Sequence, residues 1–491
     1  MQNMALLPVA FEVILVTGAM LVLLVAVIAD KPRKMWAPIA GVAFLASVVA
    51  GVFQWRAVAE TGGGLFFSTP GLVIVRSPMV VMDGLSAFAA IVLGLVGFVA
   101  FVGSWDLVTV LGKRSAEFVA LSLLAVAGLH MMTATPNLIV IFIGLETASI
   151  CFYVLAGFIR GSKQSDESAL KYFLLGSLSS AMFLYGIALV FGATGSLTIY
   201  GANSIRDFFS LTLITEPGIL LAGLALMLAG LFFKVSAAPF HQWAPDVYQG
   251  APSGAVALMA AGVKVAGFAV LARIFVGGFI SQIDTWAPVM AVIAALSMVL
   301  GTTMALVQTD LKRLLAYSGV AHSGYLLATL VAGIDGVPPM WFYVSTYAFM
   351  IIGAFTVVSV VNGPTSSGAP IASFKGLAKR SPAMGWLLAI IMFGMSGMPF
   401  FAGFVGKVLA FVVAGEAGYL WLVVIGTLAT VIGLAFYLRV VATIFSSEGD
   451  EEKLEPSRSS RFVVAICAAI TVLFGIVPWP LLDVVREALP L

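Results

Sequence analysis

Three lysines and one glutamate stand in this chain where charge is most expensive. Lys234 lies in LAGLFFKVSAAPF, Lys264 in ALMAAGVKVAGFAV, Lys407 in PFFAGFVGKVLAFVV and Glu146 in NLIVIFIGLETASICFYV, each well inside an apolar run long enough to cross a bilayer. An ionised side chain at mid-membrane costs at least ~2.5–3.5 kcal/mol, so the four need either partners or a task. An ion pair between Glu146 and one lysine would account structurally for two of them, but three lysines against one deep carboxylate leave an excess of cationic sites. A desolvated amine exchanges its proton readily and a guanidinium does not. The pattern points to proton handling ahead of a structural role.

Other polar residues in or beside the runs are less decisive. Lys171, in ESALKYFLLG, falls near the inner end of its run and could either snorkel to the headgroups or join the buried row. His322, in LLAYSGVAHSGYLL, is mid-run beside Ser318, Ser323 and Tyr325, which could extend a hydrogen-bonded or hydrated path, although a satisfied core histidine explains it equally. His241 follows a proline in APFHQW and could serve only to cap freed backbone groups, while His130 is close to the end of its run and carries little weight. Arg273 and Arg439 are also near run ends, and both are expected to snorkel.

The elements that must carry these residues follow from composition. Of 491 residues 61% are hydrophobic and 10% charged, and mean hydropathy is +1.10, whereas a soluble domain has about 25% charged residues. Apolar runs able to cross about 30 Å of hydrocarbon recur near 11–29, 36–54, 85–103, 116–134, 137–158, 168–193, 218–248, 253–275, 286–307, 314–333, 339–361, 383–414, 419–444 and 462–482. The expected fold is therefore an all-α polytopic membrane protein of about fourteen transmembrane helices, in a single membrane domain over 1–491. The first run has no basic residue before it and is followed by Lys31, Arg33 and Lys34, the reverse of a cleaved signal peptide, so it reads as a retained helix. With both termini outside, the inner loops hold Lys31, Arg33, Lys34, Lys113, Arg114, Arg160, Lys163, Lys312, Arg313, Lys375, Lys379, Arg380, Lys453, Arg458 and Arg461. The outer segments then hold only Arg56, Arg76, Arg206 and Arg486, the asymmetry that the positive-inside rule requires.

Composition also excludes. A net charge of +2 without a basic patch rules out nucleic acid as a partner. Cys151 and Cys467 lie in apolar runs without C-x-x-C spacing, so no disulfide, zinc site or iron–sulfur cluster is expected, and any redox cofactor belongs to another chain. The acidic stretch 448–455 reads as a solvated linker rather than a metal site.

Two runs, 218–248 and 383–414, are too long for one straight crossing, and each contains a proline in the same setting, SAAPF from Ser236 and SGMPF from Ser396. Proline removes a helix donor and clashes with the preceding turn, so both helices are expected to be interrupted, and irregular backbone at that depth survives only within protein or beside water. Each break has a membrane lysine within about two turns, Lys234 before Pro239 and Lys407 after Pro399. The strings fall in the seventh and twelfth runs. Five runs is an odd period, so equivalent helices point in opposite directions, as in the inverted repeats of many secondary transporters. Residues 172–186 and 342–355, in the sixth and eleventh runs, echo one another in small and aromatic residues. The repeats are read as spans 4–8 (residues 116–277) and 9–13 (286–444), each with one broken helix, after three N-terminal helices (1–115) and before a charged inner loop and last helix (445–491).

The stretch FFKVSAAPFHQWAPDVYQGAPSGAVALMAAGVKVAGF, with LKRLLAYSGVAHSGY and residues 399–407, resembles the antiporter-like membrane subunits of respiratory complex I, the proton-translocating NADH:quinone oxidoreductase, over nearly the whole chain. The L and M types of that family, like multisubunit cation/proton antiporters, usually carry PDAH where this chain has Pro245, Asp246, Val247 and Tyr248. The M type has glutamate in place of Lys407, and the L type continues into a long lateral helix, so the N type fits best. The resemblance implies that Glu146 pairs with Lys234, that Lys264 is the central proton-holding lysine, that Lys407 faces the other half-path and that His322 lies between the last two; Lys171 is a further candidate for the path. It also implies an enzyme subunit, a translocase without a redox centre or cofactor of its own. FMN, iron–sulfur clusters and quinone would sit in partner subunits, and its neighbours, besides lipid and protons, would be other complex I membrane subunits, especially antiporter-like ones, in a bacterial inner membrane. The alternatives are a membrane subunit of a sodium/proton antiporter, against which Tyr248 weighs, and a non-pumping scaffold whose buried charges hold helices together.

Overall fold

The computed structural model describes residues 6–29, 32–61, 65–66, 79–201, 203–211, 217–447 and 452–489. Without water to bond to, an apolar backbone must satisfy its own N–H and C=O groups, and the runs accordingly form helices. The N-terminal part comprises α1 (Ala10–Ile28), α2 (Pro32–Thr61), α3 (Gly84–Gly103) and the short α4 (Trp105–Leu111). Next come α5 (Ser115–Thr133), α6 (Leu138–Ala156), α7 (Lys163–Thr194), α8 (Ile205–Leu211), α9 (Pro217–Lys234), α10 (Trp243–Gly250) and α11 (Ser253–Leu271). The second half holds α12 (Ile283–Leu306), α13 (Leu311–Leu330), α14 (Val337–Asn362), α15 (Leu377–Arg380), α16 (Pro382–Ser396), α17 (Ala402–Glu416) and α18 (Leu420–Ile444), and the chain closes with α19 (Arg458–Ile476) and α20 (Trp479–Val485).

Each predicted run coincides with a helix or a helix pair. Among the described residues eleven helices are long and apolar enough to cross a membrane, and two shorter apolar ones, Gly218–Lys234 and Pro382–Ser396, are the first halves of the interrupted runs. Helix starts follow local chemistry: Asp83 caps α3 through the Ser86 N–H, Asn137 caps α6 through Ile139, and Asp310 caps α13 through Arg313. The last run ends earlier than expected, at Ile476, because Pro478 and Pro480 start the separate α20. One small departure from an all-helical chain is a two-residue antiparallel ladder joining Leu65–Phe66 to Val81–Met82.

The bundle is apolar on its outer face as well as in its core. The outward face of α7 exposes Leu170, Phe173, Leu174, Leu178 and Tyr185, whereas α11, along its whole length, and α13 and α14 along nearly all of theirs, are buried among other helices. The central helix α11 packs against α3, α5, α13 and α14, so the seam between the two halves runs through it.

Two sequence expectations are corrected here. Arg273 does not snorkel: it is fully buried, and its guanidinium grips the Asp83 carboxylate at 2.7 and 2.8 Å while Nε donates to the Thr133 carbonyl at 2.9 Å. A bidentate partner inside the protein outcompetes the headgroups. Lys312, counted with the inner loops, is also fully buried, donating to the carbonyls of Ala251 and Ser366 at 2.9 and 2.8 Å. Of the residues used for orientation, Lys31 and Arg76 lie outside the described residues, as do the side chains of Arg33 and Lys34 and residues 448–451 of the acidic stretch.

Candidate functional site

Both overlong runs are interrupted at their prolines, and each break presents freed carbonyls to a lysine. In the first, α9 stops at Lys234, Ser236 takes a left-handed conformation (φ 57°), and α10 resumes at Trp243. The carbonyl of Val235, which a continuing helix would have used, accepts instead from Lys264 Nζ at 3.0 Å and from Ser323 Oγ. In the second, α16 stops at Ser396, Gly397 and Phe400 are left-handed (φ 85° and 72°), and α17 starts at Ala402. Lys407 Nζ, one turn into α17, donates back to the Ser396 carbonyl at 2.8 Å. The end of a helix carries partial negative charge, so both half-helices favour a cation where they stop.

Gly397 makes the second approach possible. A Cβ on it would lie 2.9 Å from Lys407 Cδ, and its positive φ disfavours any side chain.

Glu146, Ser149 and Tyr153 recur at helical spacing and share one face of α6. Lys234 Nζ donates to Ser149 Oγ at 2.8 Å and Tyr153 Oη at 3.3 Å, and Ser180 Oγ of α7 donates to Glu146 Oε1. Glu146 is half-buried rather than deep, and it forms no ion pair with Lys234 among the described residues. The two charges share one hydroxyl-lined face instead. A void of about 10 Å³ adjoins Lys234 beside Ser149 and Tyr172, at the lower limit of what one water fills.

From Lys234 the row passes to Lys264. Lys264 touches the residue after Lys234 through the Val235 carbonyl, and on α13 it donates to the Gly319 carbonyl at 2.8 Å and to Ser323 Oγ. The neighbouring stripe of α13 carries Ser318, His322 and Tyr325. His322 Nδ1 lies 2.9 Å from Tyr343 Oη and Nε2 lies 3.2 Å from Tyr437 Oη, which in turn bonds Ser318. The Tyr347 ring stands between stations, 5.7 Å from Lys264 Nζ and 4.8 Å from the His322 ring. Lys407 Nζ is 4.9 Å above the Tyr325 ring, a cation–π contact that completes the sequence Lys234, Lys264, His322, Lys407.

Lys171 stands apart from this row. It is partly exposed, 2.6 Å from Glu167 and 2.7 Å from Asp246, whose other oxygen is held by Arg313 at 2.6 Å. A polar cavity of about 190 Å³ lined by Glu167, Ser168, Asp246 and Gln249 adjoins this cluster. His241 Nδ1 is buried and has no hydrogen-bond partner among the described residues. Arg439 donates to the carbonyls of Leu306 and Gln308 at the end of α12.

Sequence reasoning missed the hydroxyl groups that bond the charged residues and His322, namely Ser149, Tyr153, Ser180, Tyr343 and Tyr437, and the Tyr347 ring between Lys264 and His322. A signal was available only for Ser149 and Tyr153, at three and seven residues from Glu146.

Residues 135–433 match the family described as NADH:quinone oxidoreductase/Mrp antiporter, TM. The chain belongs to this family. The matched stretch holds Glu146, Lys234, Lys264, His322 and Lys407, and membership together with the apolar helices makes the chain an integral multi-pass membrane protein. Within the family, NADH-quinone oxidoreductase subunit N 1 of Chloroherpeton thalassium is 38% identical over 416 residues, 84% of this chain and 86% of the relative. A chain of respiratory complex I from Thermus thermophilus with bound aureothin is similar at a TM-score of 0.80 and 29% identity, covering 96% of this chain and 98% of that one. A chain of the Mrp complex from Dietzia sp. DQ12-45-1b shares the fold at a TM-score of 0.84 and 19% identity, covering 99% and 97%.

Proposed function

We propose that this chain is a proton-translocating membrane subunit of an NADH:quinone oxidoreductase. It moves protons along the buried row while electrons pass from NADH to quinone on other subunits, which carry the FMN, the iron–sulfur clusters and the quinone site. The observation that carries this reading is the row of Lys234, Lys264, His322 and Lys407 running between the two helix breaks, with the Val235 carbonyl between the first two and the Tyr347 and Tyr325 rings between the others. Glu146 and Lys234 form the first station, Lys264 the central one and Lys407 the last, with Lys171 at the inner end beside the polar cavity. A charge that moves beside one lysine changes the proton affinity of the next, so energy released elsewhere in the assembly can drive the protons in order.

The same reading takes α9 with α10 and α16 with α17 as one crossing each, giving fourteen in one membrane domain, with inverted repeats over 116–277 and 286–444. The way α5 packs on α6 and α12 on α13, with one break later in each set, supports it. Both termini then lie outside, in a bacterial inner membrane beside other antiporter-like subunits. The test is Lys234→Ala and Lys264→Ala in the assembled complex: full assembly with proton translocation abolished is expected, and normal pumping by both variants would favour the scaffold.

A further inference from the structure

One pair of titratable side chains lies away from the lysine row, with His130 buried and Glu12 half-buried. Glu12 is in the first turn of α1 and His130 in the last turn of α5, and the His130 ring packs 4.2 Å from Phe11. His130 Nδ1 is 2.7 Å from Glu12 Oε1, and Nε2 is 3.3 Å from the Ser86 carbonyl. A carbonyl only accepts, so Nε2 carries a hydrogen. One more proton lies between Nδ1 and Oε1, and the pair is neutral overall whichever atom holds it. The remaining oxygen, Glu12 Oε2, is buried with no hydrogen-bond partner among the described residues, although the side chain as a whole is 18% exposed. An acceptor of this kind next to the surface is an open position for a proton.

The charged groups facing the pair reach it through Ser86, whose N–H donates to Asp83 Oδ1 at 2.8 Å. Asp83 is held by Arg273, just beyond α11, and by Tyr200, 3.1 Å away. From α2 the nearby polar group is the neutral Gln54, which donates to the Leu7 carbonyl at 2.8 Å.

We infer that Glu12 and His130 form a second proton-binding site, at the end of the bundle where α1 and α3 begin and α5 and α11 finish, and that it exchanges a proton with water on that side. Uptake forms an O–H bond at Glu12 Oε2 and leaves the bridging hydrogen on Nδ1, so the pair gains one positive charge. Release breaks that O–H bond to a water and restores neutrality, with no other reactant. The added charge is linked through Ser86 and Asp83 to Arg273, beyond the helix that carries Lys264, so occupancy changes the field acting on the row. The role rests on the translocation reading above.

The experiment measures translocation by the assembled complex in vesicles against pH on the side this end faces, in the wild type and in a double variant, Glu12→Gln with His130→Gln, whose amides keep a hydrogen bond but do not titrate. The wild type is expected to show a pH-dependent step in translocation that the double variant lacks. Lys264→Ala in the same assay separates the two failures. Translocation lost in Lys264→Ala with superimposable profiles for wild type and double variant overturns this site alone, whereas translocation retained in Lys264→Ala overturns the reading it rests on. Should the double variant not assemble, the wild-type complex treated with a hydrophobic carbodiimide decides: adduct on Glu12 that increases as pH falls supports the site, and no adduct at any pH overturns it.

Discussion

Lys264 Nζ donates to three oxygens, and none of them is a carboxylate. The same holds for Lys407, on two carbonyls, and for Lys234, on two hydroxyls. Such lysines are hydrogen-bonded without being neutralised, so losing a proton leaves no orphaned anion behind. Arg273 is the opposite case, locked to Asp83 and unable to deprotonate, and its role is structural. Asp83→Ala should therefore destabilise the protein by about 3–5 kcal/mol, read as a lower unfolding temperature in detergent, and adding Arg273→Met should recover much of the loss. For the relay, His322→Gln keeps a polar group between Tyr343 and Tyr437 but cannot pass a proton through a ring. It is expected to slow translocation about tenfold or more, measured as proton movement in vesicles. The three lysines were legible because each interrupts an apolar run. Arg273 was misread because its partner is 190 residues away and only the fold joins them, and Tyr343, Tyr347 and Tyr437 were invisible because a tyrosine in an apolar helix reads as packing.

Both helix breaks could be read from S-x-x-P-F because each proline falls in a run too long for one crossing; proline alone does not decide it, since Pro38 and Pro288 sit inside the continuous α2 and α12. What could not be read was where the freed carbonyls point, because the first serves a lysine on α11 and only the second serves a lysine on its own broken helix. Gly397 tests whether the break itself positions Lys407. Gly397→Ala adds about 1–3 kcal/mol of backbone strain and drives a Cβ against the lysine stem, so translocation should fall while the complex still assembles. Gly112→Ala is the control, with a comparable φ of 59° and nothing within 4 Å of the added Cβ: it should show strain without loss of translocation.

Across the whole molecule, hydropathy and loop charge were enough to anticipate an all-helical membrane bundle, because a bilayer leaves the backbone little choice. The seam was not legible. Lys234, Lys264, His322 and Lys407 come from α9, α11, α13 and α17, and only packing lines them up across the junction of the two halves. The central claim is that these lysines work by gaining and losing protons rather than by carrying charge. Lys264→Arg separates the two directly, since arginine keeps the charge and stays protonated. Protons translocated per NADH oxidised should collapse in the assembled Lys264→Arg complex in vesicles, as in Lys264→Ala; a wild-type ratio in Lys264→Arg would contradict the account.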